Sequence, residues 1–124
     1  ALKALSKYIE YEAMGDGFTW DTKNPEQDKK TARDAFEIAK EKLVSNKYQM
    51  IILDEINYVL DYHFFPIDEF LETLRNKPKD VHVVCTGRNA NEKLIEMADL
   101  VTEMKLVKHP YDDQGIPAQK GIEF

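Results

Sequence analysis

The sequence predicts an α/β domain built on a mainly parallel sheet. Three observations lead there. Two short, largely apolar runs, Met50-Ile51-Ile52-Leu53 and Val81-His82-Val83-Val84-Cys85, lack the alternation of a half-wetted strand, and such runs belong to strands covered on both faces. Longer segments with apolar residues at helical spacing lie around and between them. Strands alternating with helices imply parallel pairing through right-handed crossovers, which places helices on both faces of the sheet. Ligands in such folds bind outside the carboxyl ends of the strands, so the residues after Leu53 and Cys85 are where chemistry is expected.

Taken in order, residues 1–6 read as the end of a helix, and residues 8–14, with Tyr8, Ile9 and Tyr11, suit a strand. Met14-Gly15-Asp16-Gly17 makes a turn from which Phe18-Thr19-Trp20 extends. Asn24 can cap the next helix, Pro25 suits its first position, and Gln27 stands three residues after the cap. Ala32, Ala35, Phe36, Ala39 and Leu43 form its apolar face, and it ends near Ser45-Asn46, before the strand 50–53. A second helix starts at Phe65-Pro66. Pro66 presets its first turn, Asp68 and Glu69 suit the positive end of its dipole, and Ile67, Phe70, Leu71 and Leu74 face inward. The strand 81–85 follows, then a short helix over 92–98 with Asn91 as its cap. Residues 100–107 mix apolar and charged side chains like a strand nearer the sheet edge. From Lys108 onward Pro110, Gly115, Pro117 and Gly121 predict an irregular tail.

Composition narrows the function. The chain has 124 residues, enough for one hydrophobic core, with 43% hydrophobic and 32% charged residues. Its 23 acidic and 17 basic side chains give a formal charge of −6. That balance argues against non-specific binding of nucleic acid or anionic membranes, which requires a basic face. No apolar run approaches membrane-spanning length, and no signal-peptide pattern opens the chain. The single cysteine, Cys85, lies in an apolar run and reads as a buried, inert thiol, in keeping with a reducing cytoplasm.

Four groups of residues could carry chemistry. Asp54-Glu55 directly follows an apolar strand, the pattern that delivers carboxylates to Mg²⁺ and nucleotide phosphates, because Mg²⁺ prefers hard oxygen ligands. The bland alternative is a strand running into a polar loop. Thr86-Gly87-Arg88 follows the next strand in the same way: Gly87 permits close backbone approach, and Arg88 could hold phosphate oxygens by paired hydrogen bonds. Alone it reads as a turn with a solvated arginine, but two polar strand ends at one edge favour a shared site. Phe18 and Trp20 beside a glycine-rich turn could line a pocket for a flat apolar ligand or pack on a helix. His109 is a lone histidine before Pro110, a type of residue more often at the surface than in a site. His63 and His82 read as structural, and the His and Cys residues lack zinc-site spacing. The sequence contains no G-x-x-x-x-G-K-[ST] phosphate loop, and Gly15-Asp16-Gly17 lacks the Lys and helix entry that would replace one.

Together these segments resemble the ATP:corrinoid adenosyltransferases of the BtuR/CobO class. Met14-Gly15-Asp16-Gly17-Phe18-Thr19-Trp20 is similar to their M-G-x-G-F-T-W, Leu53-Asp54-Glu55-Ile56-Asn57-Tyr58 to their L-D-E-[IL]-x-Y, and Thr86-Gly87-Arg88 to their T-G-R. Val107-Lys108-His109 and Ala118-Gln119-Lys120-Gly121-Ile122-Glu123-Phe124 are similar to their closing V-K-H and A-Q-x-G-I-[ED]-[YF]. The likeness runs in order from about Leu5 to the last residue.

The resemblance implies a three-layer RecA-like P-loop fold, here N-terminally truncated because the phosphate loop and its strand and helix do not occur. Residues 1–107 would be a partial RecA-like domain and 108–124 a tail packing on the active site. The implied activity is corrinoid adenosylation in cobalamin biosynthesis: cobalt(I) of the corrinoid attacks the ribose 5′ carbon of ATP and expels triphosphate. By the same resemblance, Phe18, Trp20 and Glu55 are the catalytic residues, and Glu55 and Asp54 hold Mg²⁺. Met14, Gly17, Phe18, Trp20, Arg88 and His109 bind substrates, with Phe18 and Trp20 facing the corrinoid. A cytoplasmic homodimer, a reduced flavoprotein as electron donor, and weak ATP binding by this chain alone are also implied. Two rival readings fit the residues: a generic P-loop ATPase or switch domain that uses Asp54-Glu55 for hydrolysis, and a non-catalytic corrinoid-binding module.

Overall fold

The computed structural model describes residues 2–14 and 25–121. After a 3₁₀ turn at Leu2–Leu5, the elements run α1 (Pro25–Val44), β1 (Met50–Leu53), α2 (Ile56–Asp61), α3 (Ile67–Arg75), β2 (His82–Cys85), α4 (Glu92–Met97) and α5 (Pro110–Gln114). β1 and β2 pair in parallel, with Leu53 opposite Cys85, and α2 and α3 form the crossover between them.

The core forms where apolar faces of the helices meet. Phe36 of α1 stacks on Phe65 with ring centroids 4.4 Å apart, and both pack beside Phe70 of α3, which is 0% exposed. Leu60, Leu71, Leu74 and Leu94 complete this cluster, and Leu53, Val83 and Cys85 of the sheet pack against it. Arg33 of α1 donates to Glu69 of α3 at 2.6 Å, and Lys40 lies 3.3 Å from the same carboxylate, so a charged clamp spans the helix pair outside the aromatic contact. The Arg33 guanidinium, followed by Lys40, holds the Glu69 carboxyl below the ordinary range.

Local signals account for several boundaries. α1 begins at Pro25, and it stops where Ser45 bonds back to the Lys42 carbonyl and Asn46 turns left-handed at φ 57°. Asn91 caps α4 through a 3.0 Å bond from the Lys93 N–H. Burial raises the Cys85 thiol to about 11, as expected of an inert core cysteine.

The structure corrects five expectations and adds one helix. Residues 8–14 form no strand: Glu10 instead ties this segment to Lys42 and Tyr48 near the end of α1. Among the described residues, the strands are covered on one face only. Met50 and Ile52 are 54% and 61% exposed, while their neighbours point into the core, so the described helices lie on one side of the sheet. Pro66 is the cap of α3 rather than its first residue, with an extended ψ of 133°. α2 is a helix that the sequence did not signal. Residues 100–107 are irregular and exposed, since no described strand lies beside them to pair with. In the tail, residues 110–114 fold into α5. Gly115 closes it in the left-handed conformation, and its N–H and that of Ile116 bond to the Tyr111 and Pro110 carbonyls. Among the described residues, no helix is long and apolar enough to cross a membrane.

Candidate functional site

The parallel register brings the two strand ends together. Beyond the Leu53–Cys85 pair, the Thr86 N–H donates to the Leu53 carbonyl at 3.2 Å, which places Thr86 beside Asp54. The Thr86 hydroxyl is used in both directions: it donates to Asp54 Oδ1 at 2.7 Å and accepts from the Glu55 N–H at 2.9 Å. Accepting that N–H goes with a left-handed backbone at Glu55, φ 58° and ψ 19°. Such a conformation is uncommon for a residue with a side chain and costs about 1–2 kcal/mol. It turns the chain at once from β1 into α2, whose first turn has no side-chain cap.

Asn57, in that first turn, closes the other side. Its N–H donates to the Thr86 carbonyl at 3.1 Å, and its amide Nδ2 approaches the Gly87 carbonyl at 3.5 Å. The side chain is 5% exposed, and Oδ1 is buried without a hydrogen-bond partner among the described residues. Gly87 has φ +121°, and a Cβ placed there would come within 3.0 Å of Asn57 Cβ and 3.4 Å of Glu55 Oε2. Glycine is therefore required both by its backbone angle and by its neighbours. Asn89 extends the contact, its amide donating to Asp61 at the end of α2 at 2.9 Å.

The expected site residues divide accordingly. Asp54, Glu55 and Arg88 lie on two loops that are bonded to each other at the carboxyl edge of the sheet, and all three are exposed. None forms an ion pair with another described residue, so their charges remain available to a ligand. The described hydrogen bonds of His109 lie within the tail: its Nδ1 accepts from the Tyr111 and Asp112 N–H groups, capping α5. Met14 is exposed at the end of the segment tethered by Glu10. Gly17, Phe18 and Trp20 lie outside the described residues. Two shallow grooves of about 430 Å³ lie elsewhere, one between α3 and α4 and one between the start of α1 and residues 64–66, and neither is lined by Asp54, Glu55 or Arg88.

Sequence reasoning did not single out Thr86 and Asn57 as individual site residues. The available signal was the register: two parallel strands ending in Asp54-Glu55 and Thr86-Gly87 set a hydroxyl beside a carboxylate. Chemically, two exposed carboxylates with one oxygen held by a hydroxyl form a hard-oxygen donor set of the kind Mg²⁺ takes. A guanidinium without an ion-pair partner among the described residues, on the adjoining loop, suits phosphate oxygens.

Comparison with known proteins places the chain in a family. The model of the family "ATP:corrinoid adenosyltransferase BtuR/CobO/CobP" matches residues 1–124. A corrinoid adenosyltransferase from Sinorhizobium sp is 47% identical over 123 residues, which is 98% of this chain and 57% of that protein. The corrinoid adenosyltransferase of Escherichia coli strain K12 is 37% identical over 116 residues, 94% of this chain and 59% of that protein. A corrinoid adenosyltransferase from Pseudomonas aeruginosa is 41% identical, again over 94% of this chain and 57% of that protein. The chain thus spans somewhat over half the length of these relatives. It belongs to the ATP:corrinoid adenosyltransferase BtuR/CobO/CobP family.

Proposed function

We propose that the protein carrying this chain transfers the 5′-deoxyadenosyl group of ATP to cobalt(I) of a cobalamin-type corrinoid and releases triphosphate. The observation that supports this most is the bonded pair of strand-end loops, which gathers Asp54, Glu55 and Arg88 at one edge within a chain of this family. In the reaction, cobalt(I) supplies both electrons of the new cobalt–carbon bond. The bond between C5′ and its oxygen breaks, and its electron pair leaves on the triphosphate. No protein side chain need act as nucleophile, so the protein's contribution is position and charge.

The roles follow from donor chemistry. Arg88 binds phosphate oxygens and stabilises the negative charge that grows on the leaving triphosphate. Glu55 and Asp54 are the residues that would hold Mg²⁺, which when bound neutralises phosphate charge. Phe18 and Trp20 face the corrinoid and keep its lower ligand off cobalt, with Met14 and Gly17 in the same segment. His109 contributes on the nucleotide or corrinoid side, and the tail 108–124 packs on the active site. The domain as a whole is RecA-like, works in the cytoplasm as a homodimer, and receives electrons from a reduced flavoprotein.

The test is anaerobic adenosylation with chemically reduced cobalamin and Mg-ATP, following both the absorbance of the cobalt–carbon product and the phosphate species released. Adenosylcobalamin with stoichiometric triphosphate supports the proposal. Inorganic phosphate without adenosylation would replace it with an ATPase, and corrinoid binding without turnover would replace it with a binding module.

A further inference from the structure

We infer that Thr86 and Asn57 are positioning residues, which aim the Asp54 and Glu55 carboxylates and the Arg88 loop at a metal-bound triphosphate; this rests on the function proposed above. Asp54, Glu55 and Arg88 are exposed and form no ion pair with another described residue, so no opposite charge among the described residues fixes them. What fixes their loops is the clasp. The Thr86 hydroxyl orients one oxygen of Asp54, the other has no hydrogen-bond partner among the described residues, and the same hydroxyl accepts the N–H of Glu55 and so supports its left-handed backbone. One hydroxyl therefore orients the Asp54 carboxylate and holds the backbone from which the Glu55 side chain extends. A methyl group in its place would leave both loops without that tie.

Asn57 supplies the matching restraint on the other loop. Its amide reaches the Gly87 carbonyl, immediately before Arg88. This placement is unfavourable for stability alone. Oδ1 is buried without a partner among the described residues, and an orphaned buried acceptor costs about 1–3 kcal/mol. A leucine of similar shape would fill the space without that orphan. What the amide adds is the hold on Gly87, so the asparagine serves the site at some expense of stability.

The test uses the protein whole, with any residues that flank this chain in its gene. The readout is the ternary complex with Mn²⁺–ATP, followed by water-proton relaxation enhancement, beside the melting temperature. Removing an outer partner of metal-ligating carboxylates weakens metal binding about 10–100-fold. Thr86→Val should therefore weaken the complex by about 10-fold or more, while Thr86→Ser, which keeps the hydroxyl, stays within about 3-fold of the parent. Asn57→Leu should weaken it while melting no lower than the parent, a split that a purely structural residue would not produce. The inference is overturned if Thr86→Val binds as the parent does, or if Thr86→Ser is as weak as Thr86→Val. It also falls if the parent forms no ternary complex. Should Thr86→Val not fold, Asn57→Leu binding as tightly as the parent is enough to overturn it. A parent that holds Mn²⁺–ATP in a Thr86-dependent way yet adenosylates nothing would defeat the proposed function and leave the positioning roles standing.

Discussion

Replacing Gly87 by alanine tests the clasp at its most crowded point. Two penalties combine. The backbone at φ +121° lies in a region that L side chains rarely adopt, and holding a residue there costs about 1–3 kcal/mol. The new methyl would also sit 3.0 Å from Asn57 Cβ and 3.4 Å from Asn57 N, both fixed in the first turn of α2, and overpacking against such neighbours costs about 1–3 kcal/mol. Even the lower sum, about 2 kcal/mol, should lower the melting temperature of a chain this size by about 8 °C. Thermal unfolding followed by circular dichroism reads this directly. Gly115→Ala is the control: Gly115 also has positive φ, +64°, but a Cβ there meets nothing within 4 Å, so only the strain of about 1–2 kcal/mol remains. A Gly87→Ala protein that melts within about 2 °C of the parent, or no lower than Gly115→Ala, would refute the packing derived for these loops.

Two other predictions concern the core. Phe70→Ala removes a ring that is 0% exposed and packs on Phe36 and Phe65, so it should cost about 3–5 kcal/mol in denaturant unfolding; a loss under about 1 kcal/mol would mean that the aromatic cluster is not the core. Cys85 keeps its proton in the folded chain up to about 11, while the unfolded thiol ionises near its ordinary 9.0. The folded state thus holds the extra proton between those values. The stability that depends on this thiol is present in full below pH 9 and falls as pH rises from about 9 to 11. Maleimide labelling near neutral pH should be slow in the folded protein and fast in urea, and equal rates in the two would show that the thiol is not shielded.

What was legible in the sequence was what local chemistry decides. Pro25 marks the first residue of α1, and Asn91 caps α4 through its own side chain, so both boundaries follow from residues near in sequence. β1 and β2 were legible as apolar runs, and their order fixed which polar residues would share an edge. α2 was not legible because nothing within it announces it: it has six residues, no side-chain cap, and a start imposed by Glu55 bonding to Thr86, 31 residues away. The reading of strands covered on both faces went too far for the same reason. Met50 and Ile52 carry the apolar character of buried strand residues, but whether a layer covers them depends on other parts of a fold, not on the strand. Residues 100–107 repeat this lesson, since a strand-like pattern becomes a strand only beside a partner. In the site, Asp54, Glu55 and Arg88 could be found as charged residues after apolar runs. Thr86 and Asn57 required the register and the loop contacts, because their part lies in what they hold rather than in charge.

The most direct single measurement is the adenosylation rate of Glu55→Gln in the whole protein, with melting temperature recorded alongside. If Glu55 places its charge at the metal-bound triphosphate, kcat/KM should fall by about 100-fold or more, as for loss of one preorganised electrostatic group, while melting stays near that of the parent because this exposed carboxylate pairs with no other described residue. A variant that transfers the adenosyl group within about 3-fold of the parent rate would contradict the placement of the reaction at these two strand ends.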